Sequence, residues 1–262
     1  MNREPNPWQE LMGELDAWAG IGAAATFWWR DDDARAATPG LTRLLETASA
    51  HDLPLALAVV PAGMTVELGH RLRGRERVSV LQHGYAHVNH ARQGEGAWEL
   101  GSHRPARVVM AELREGCRRL REAFGGSFVP VLVPPWNRID PELLPRLPEA
   151  GLHGLSTFGA RAAAEAAPGV AWVNTHCDPI KWKGGARFTG TEAALDDVVT
   201  HLRARRDGAA DPREPTGLVT HHLDLDEAGW EFVIQLLERT RAHGAARWVD
   251  VAALVGARGD ET

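Results

Sequence analysis

The sequence predicts an α/β fold: a distorted (β/α) barrel of seven to eight parallel strands, with its active site at the C-terminal strand ends. Three observations carry that expectation. Short apolar runs alternate with segments of helical period along the 262 residues, as in a parallel sheet whose faces are covered by helices. Residues able to bind metal or move protons follow at least four different runs, whereas an open doubly wound sheet would gather them at one switch point. The length suits one barrel, and no Pro/Gly/Ser-rich linker divides the chain, so residues 1–262 are expected to form a single domain.

In chain order, an amphipathic segment over 8–18 precedes the first apolar run. Strands are predicted over 24–29, 55–60, 78–81, 128–133, 152–158, 170–174, 217–220 and 246–249, and helices over 39–49, 106–123, 141–147, 192–205 and 227–241. Thr38-Pro39 and Asp140-Pro141 each offer a capping side chain followed by proline at the first helical position, and Gly125 and Gly244 are helix stops. The Ala-rich stretch 160–167 reads as a loop or short helix.

Composition narrows the function. With a net charge of −6 and a pI near 6.1, the chain lacks a basic nucleic-acid footprint. Its Arg clusters (Arg118, Arg119, Arg121; Arg203, Arg205, Arg206) sit among acids on helical patterns and read as solvated faces. No apolar run is long enough to span a bilayer, and the first residues lack a cationic stretch followed by an apolar core, so a soluble cytoplasmic protein is expected. Cys117 and Cys177 belong to no disulfide or metal framework.

The chemistry lies after four runs. In His83-Gly84-Tyr85-Ala86-His87 two imidazoles four residues apart can reach one cation, and Gly84 lets the backbone bend as it leaves the strand. His90 reads as a loop histidine rather than a third ligand. Asp31-Asp32-Asp33 follows the apolar Thr26-Phe27-Trp28-Trp29; three adjacent carboxylates at a buried strand end call for a cation or a shared proton. Asp plus two His is a catalytic ligand set, since three protein ligands leave positions open for water and substrate. Val219-Thr220-His221-His222 supplies a candidate proton donor, and strand alternation turns only one of the two histidines towards the barrel axis. The other histidines (His51, His70, His103, His153, His176, His201, His243) show no ligand spacing, although His176 follows a strand.

In this order the segments resemble the polysaccharide deacetylases, the NodB-homology or carbohydrate esterase family 4 proteins. The family's first motif, Thr-Phe-Asp-Asp-Gly, aligns with Asp32 and Asp33, which implies Asp32 as base and Asp33 as metal ligand, with Ala34 in the glycine position. The His-Ser/Thr-x-x-His motif is similar to His83–His87 and implies those two as the remaining ligands. The Arg-x-Pro motif resembles Val133-Pro134-Pro135-Trp136-Asn137, implying that Pro135 and the Trp136 N–H lie at the oxyanion. The final strand motif implies His222 as catalytic acid, or His221 if the register slips by one. The fourth motif, Asp-x-x-Asp-Trp, is partly echoed by Asp178-Pro179-Ile180-Lys181-Trp182. Two departures stand out: Val133 occupies the position of the motif's arginine and Lys181 that of its second aspartate. Arg30 is the residue expected to replace the missing positive charge, beside substrate and oxyanion; Arg30-Asp31-Asp32-Asp33 resembles the opening of a divergent branch.

The resemblance implies a hydrolase that removes an N-acetyl group from a sugar or oligosaccharide using one divalent metal ion, zinc first, with cobalt, nickel or manganese as alternatives. A glycan-binding barrel with a degraded site and an amidohydrolase on a non-sugar amide are the competing readings. Among the ten tryptophans, Trp28, Trp29, Trp172 and Trp248 lie in strand-like runs and read as packing. Trp98, Trp136 and Trp182 lie in loops where a ring can stack on a sugar.

Overall fold

The computed structural model describes residues 6–256. The chain runs α1 (Pro7–Gly20), β1 (Ala25–Ala34), α2 (Pro39–Ala50), β2 (Leu55–Val59), α3 (Val66–Leu72), β3 (Val78–His83), α4 (Ala106–Phe124) and β4 (Phe128–Val133). A 3-10 run (Pro141–Ala150) leads to β5 (Gly154–Leu155), β6 (Glu165–Ala167) and β7 (Val170–Trp172). There follow β8 (Ile180–Lys181), β9 (Arg187–Phe188), α5 (Thr191–Arg206), β10 (Thr216–Thr220), α6 (Glu227–Ala242), β11 (Ala246–Trp248) and α7 (Val251–Gly256). The expected caps are made: Thr38 accepts from the Leu41 N–H and Asp140 from the Glu142 N–H.

Strand order is β10-β1-β2-β3-β4-β5-β7, all parallel, with β6 antiparallel on β7 and β11 paired with the start of β1. The chain beyond β7 then returns this row to β10. Thr175 bridges to Phe158 on one side, and Cys177 bridges to Leu218 on the other. His176 N–H donates to Gly217 O at 2.7 Å and Val219 N–H to Cys177 O at 2.9 Å. A distorted barrel thus closes through an irregular segment rather than an eighth regular strand.

Alternation along the strands divides the core in two. Trp28, Ala56, Ala58, Leu81, Val131, Val133 and Val173 face the lumen, where α7 contributes Val251. Phe27, Trp29, Leu57, Val80, Leu132 and Leu218 face the helices. The period of two is the geometry of a strand buried on both faces.

Several elements differ from the sequence expectation. Strand β1 runs on through Asp31, Asp32 and Asp33, and β3 includes His83, so these polar residues sit within the ladder. The predicted strand over 152–158 shortens to β5 plus the Phe158 bridge, and the stretch 160–167, read as a loop or short helix, is a loop that ends in β6. Arg205, read as solvated, is buried at 1% exposure. The last turn of α5 lies under β1 and β10, so its guanidinium donates to Thr26 O, Thr26 Oγ1 and Thr216 Oγ1 at 2.8–3.1 Å. Both cysteines are free and buried. No helix among the described residues is long and apolar enough to cross a membrane.

Closure depends on Gly217. A Cβ there would overlap Trp28 Nε1 and lie 2.6 Å from Asn174 O, while Trp28 Nε1 spans the lumen to donate to that carbonyl at 2.8 Å. Gly217→Ala is therefore expected to destabilise the protein by about 1–3 kcal/mol through overpacking, read as a lowered midpoint in denaturant unfolding. An unchanged midpoint would contradict this account of closure.

Candidate metal centre and catalytic pocket

The end of β1 gives each of its three carboxylates a different surrounding. The pairing of β1 with β2 shifts register between Asp31 and Ala34, and Asp33 adopts a left-handed backbone (φ 70°). This irregularity interrupts the alternation, so Asp32 and Asp33 both line one cavity. Asp32 is held by a fully buried Arg30 on its own strand: Nε lies 2.9 Å from Oδ1, and Nη2 donates to Oδ2 at 3.0 Å. The same guanidinium donates to Ser156 Oγ at 2.6 Å. Arg30 supplies from β1 the positive charge that Val133 does not. It lies behind Asp32 rather than in the cavity, which corrects its expected place beside substrate and oxyanion.

Asp31 faces the other way. It accepts from Thr220 Oγ1 at 2.7 Å and from the His222 N–H at 3.1 Å, and it pairs with His222 Nδ1 at 2.5 Å. Burial pushes the Asp31 carboxyl up, partly offset by the His222 charge and hydrogen bond; burial opposes charge on His222, and Asp31 overcomes it to raise that imidazole. His222 therefore does not reach the cavity. Gly217, Val219 and His221 share one parity of β10, and His221 is the histidine lining the pocket, with Nε2 3.9 Å from Asp32 Oδ2. Of the two adjacent histidines, His221 is the one at the cavity, and His222 is turned to Asp31.

Asp33, His83 and His87 converge. Both Nε2 atoms lie 3.2 Å from Asp33 Oδ1. His83 Nδ1 donates to Val133 O at 2.9 Å, since a carbonyl can only accept, and this leaves Nε2 to meet the carboxylate, as an N–H donor when the imidazole is charged and as a ligand when a cation lies between them. These donors fit a divalent metal with open positions, and their spacing suits ligands about 2 Å from one ion. Burial alone would raise the Asp33 carboxyl, but the His83 hydrogen bond and the His83 and His87 charges outweigh it and hold it well below the usual range. His87 also adopts a left-handed backbone (φ 56°), a strained state typical of functional sites. His90 is not among these donors.

These residues form the floor of a cavity of about 650 Å³. Trp136, Phe158 and Trp182, each 38–46% exposed, make an aromatic rim. Trp136 has φ 55°, and its ring centroid lies 4.4 Å from that of His87. Pro134 lines the cavity, whereas Pro135 packs beside Gly84. Trp98 instead packs edge-on against His103. Asp178, not singled out as a site residue by sequence, lies on the wall with its carboxyl raised by burial. Trp182 Nε1 donates to Asp178 Oδ2 at 2.8 Å, and its ring meets the His221 ring at 4.7 Å. Phe158 was likewise missed, because it ends a run that reads as core.

A second group, His176, His201 and Glu214, also brings donors of metal-ligand type together, all buried. Its two rings lie side by side instead of converging. The imidazoles stack with centroids 3.3 Å apart at 11°, and in-plane lone pairs of parallel rings cannot converge on one ion. His176 Nδ1 already accepts the Gly217 N–H, which leaves the proton on Nε2, 3.4 Å from Glu214 Oε1; His201 Nε2 lies 3.6 Å from Oε2.

No protein-family model matches the sequence, and no curated protein does. Solved structures do match. A protein from Mycobacterium smegmatis assigned to the polysaccharide deacetylases is similar over 90% of this chain and 91% of its own, with TM-score 0.63 and 15% identity. The chain has the polysaccharide-deacetylase fold. A family 4 acetyl xylan esterase from Clostridium thermocellum, in complex with a cobalt ion, is similar over 89% of this chain and 92% of its own (TM-score 0.52, 12% identity). A mutant of a family 4 pseudoenzyme is similar over 88% of this chain and 67% of its own (TM-score 0.59, 13% identity). The deacetylase fold thus places the chemistry-bearing residues of this chain at the C-terminal ends of its strands, where barrel sites form.

Acid should loosen the closure of the deacetylase barrel. Burial lowers His176 to about 4, and Glu214 is held at about 2 by the two imidazoles against its own burial. Between pH 6.5 and 4 the unfolded chain binds a proton at His176 that the folded chain refuses, so stability falls as pH falls through that window. The most this group contributes is roughly 3 kcal/mol over the window. Denaturant unfolding at pH 7, 5.5 and 4 should show a shallower decline in His176→Asn than in wild type. Parallel declines would exclude His176 as the source.

Proposed function

We propose that the protein is a metal-dependent hydrolase that removes an N-acetyl group from an amino sugar or oligosaccharide. The observation that carries this reading is the convergence of two imidazole Nε2 atoms on Asp33 Oδ1, at 3.2 Å each, in one cavity with the Arg30-held Asp32 and His221. Asp33, His83 and His87 would hold one divalent ion, zinc first on this donor set, with cobalt, nickel or manganese open to the same ligands. When bound, that ion supplies Lewis acidity to the amide carbonyl.

The remaining work belongs to the chain. Asp32, oriented by Arg30, accepts a proton from the attacking water as the oxygen–carbon bond forms. The Trp136 N–H is the donor assigned to the oxyanion. His221, against Asp178 and Trp182, delivers a proton to nitrogen as the carbon–nitrogen bond breaks, so acetate and a free amine leave. Trp136, Phe158 and Trp182 offer apolar faces to a sugar ring and exclude water from the floor. The place of His221 at the cavity supports it as the acid over His222, the alternative that the sequence left open.

A glycan-binding barrel without turnover is the second reading, favoured by Val133 and Lys181. Arg30 answers the first departure, and Asp178 beside His221 answers the second. An amide that is not a sugar is a third possibility that a substrate panel separates.

Acetate release from N-acetylated mono- and oligosaccharides, with non-sugar acetamides alongside, tests the proposal. Asp32→Asn is expected to lower turnover by at least about 10³-fold with metal content unchanged, because base and Arg30 pairing go together. His221→Ala should cost about 10²–10⁴-fold, and His222→Ala much less. Turnover that persists in Asp32→Asn, or loss confined to His222→Ala, would overturn these roles.

A further inference from the structure

A carboxylate outside the cavity holds the turn that carries His87. Glu99 is 1% exposed, and its side chain accepts three consecutive backbone N–H groups: Tyr85 at 3.3 Å, Ala86 at 2.7 Å and His87 at 2.9 Å. Gly84 enters the turn at φ 53°, and a Cβ there would overlap Glu99 Oε2, so the glycine makes room for the carboxylate. His87 sits in a left-handed conformation that a bulky residue keeps only when its surroundings fix it. The bond to its own N–H is part of that fixing.

The same segment is tied to the other side of the pocket. Leu100 bridges to Ile139, Asp140 N–H donates to Leu100 O at 2.8 Å, and Arg104 Nη2 donates to Glu99 O at 3.2 Å. Residues 99–100 therefore link the His83–His87 turn to the loop bearing Trp136, whose ring packs on His87.

We infer that Glu99 is a positioning residue that presets the His87 turn for metal before any metal arrives. The inference rests on the reading that Asp33, His83 and His87 hold a metal. It predicts a site whose affinity depends on a carboxylate that touches neither metal nor substrate, as partners behind the ligands of metal centres do.

The test compares wild type, Glu99→Gln and Glu99→Ala, with His83→Ala as a control. Glu99→Gln keeps the side-chain volume and one acceptor oxygen, so it stays informative if Glu99→Ala fails to fold. Amide hydrogen exchange at residues 85–87 is read in metal-free protein, zinc affinity by chelator competition, and ligand geometry by the visible spectrum of the cobalt-loaded protein. In the Glu99 variants the three amides should exchange at least about 10-fold faster, zinc should bind about 10–100-fold more weakly, and the cobalt spectrum should change. His83→Ala should lose zinc yet keep the amides protected. Zinc affinity within twofold of wild type in both variants, with only thermal stability lowered, would overturn the inference, as would amide protection that ignores Glu99. A wild type that binds no zinc while its amides depend on Glu99 would defeat the metal reading and the role built on it, leaving only a brace for the turn.

Discussion

Three adjacent carboxylates on a buried strand cannot all be ionised unless each finds its own positive or donor partner. Around that constraint the upper half of this molecule is arranged. Asp31 is answered from outside the lumen by Thr220 and His222, Asp32 from inside by Arg30, and Asp33 by the two imidazoles of the His83 turn. The partners come from β10, β1 and β3, so satisfying the carboxylates also fixes how these strands meet. Leaving any one unpaired in so little water would cost several kcal/mol.

The arrangement separates roles that a run of identical residues would otherwise blur. A guanidinium set against both oxygens of Asp32 holds that carboxylate in one orientation at the cavity. Asp33 meets two imidazole nitrogens at equal distance, the arrangement of a shared metal-ligand set. Asp31, turned outward, fixes the peptide after His221 through the His222 N–H and so steadies the cavity histidine without entering the cavity. The irregular register at Asp33 brings the second and third carboxylates to one cavity, which an undisturbed strand would place on opposite faces.

Much of this was legible in the sequence. Apolar runs marked the strands that carry the site, and the spacing of His83 and His87 together with the Asp run singled out three donors that the fold brings together. The sequence was silent wherever the answer depended on direction rather than identity. His221 and His222 are chemically the same, and only the parity of β10, set by its pairing with β1, decides which faces inward. Arg30 was expected near Asp32, but whether it met substrate or lay behind the carboxylate depended on the lumen being filled at that level. Phe158 ends a run that reads as core, and only the bend after β5 turns it to the cavity rim, as the irregular segment after β7 does for Asp178. Glu99 and the His176–His201–Glu214 cluster are assembled over sequence separations that no local pattern reports.

Two groups of metal-ligand type in one barrel make the central claim open to a direct test by anomalous diffraction from crystals grown with zinc. The account predicts one peak about 2 Å from Asp33 Oδ1, His83 Nε2 and His87 Nε2, and none at the stacked His176 and His201. A peak between His176, His201 and Glu214, or no peak beside Asp33 at saturating zinc, would contradict it.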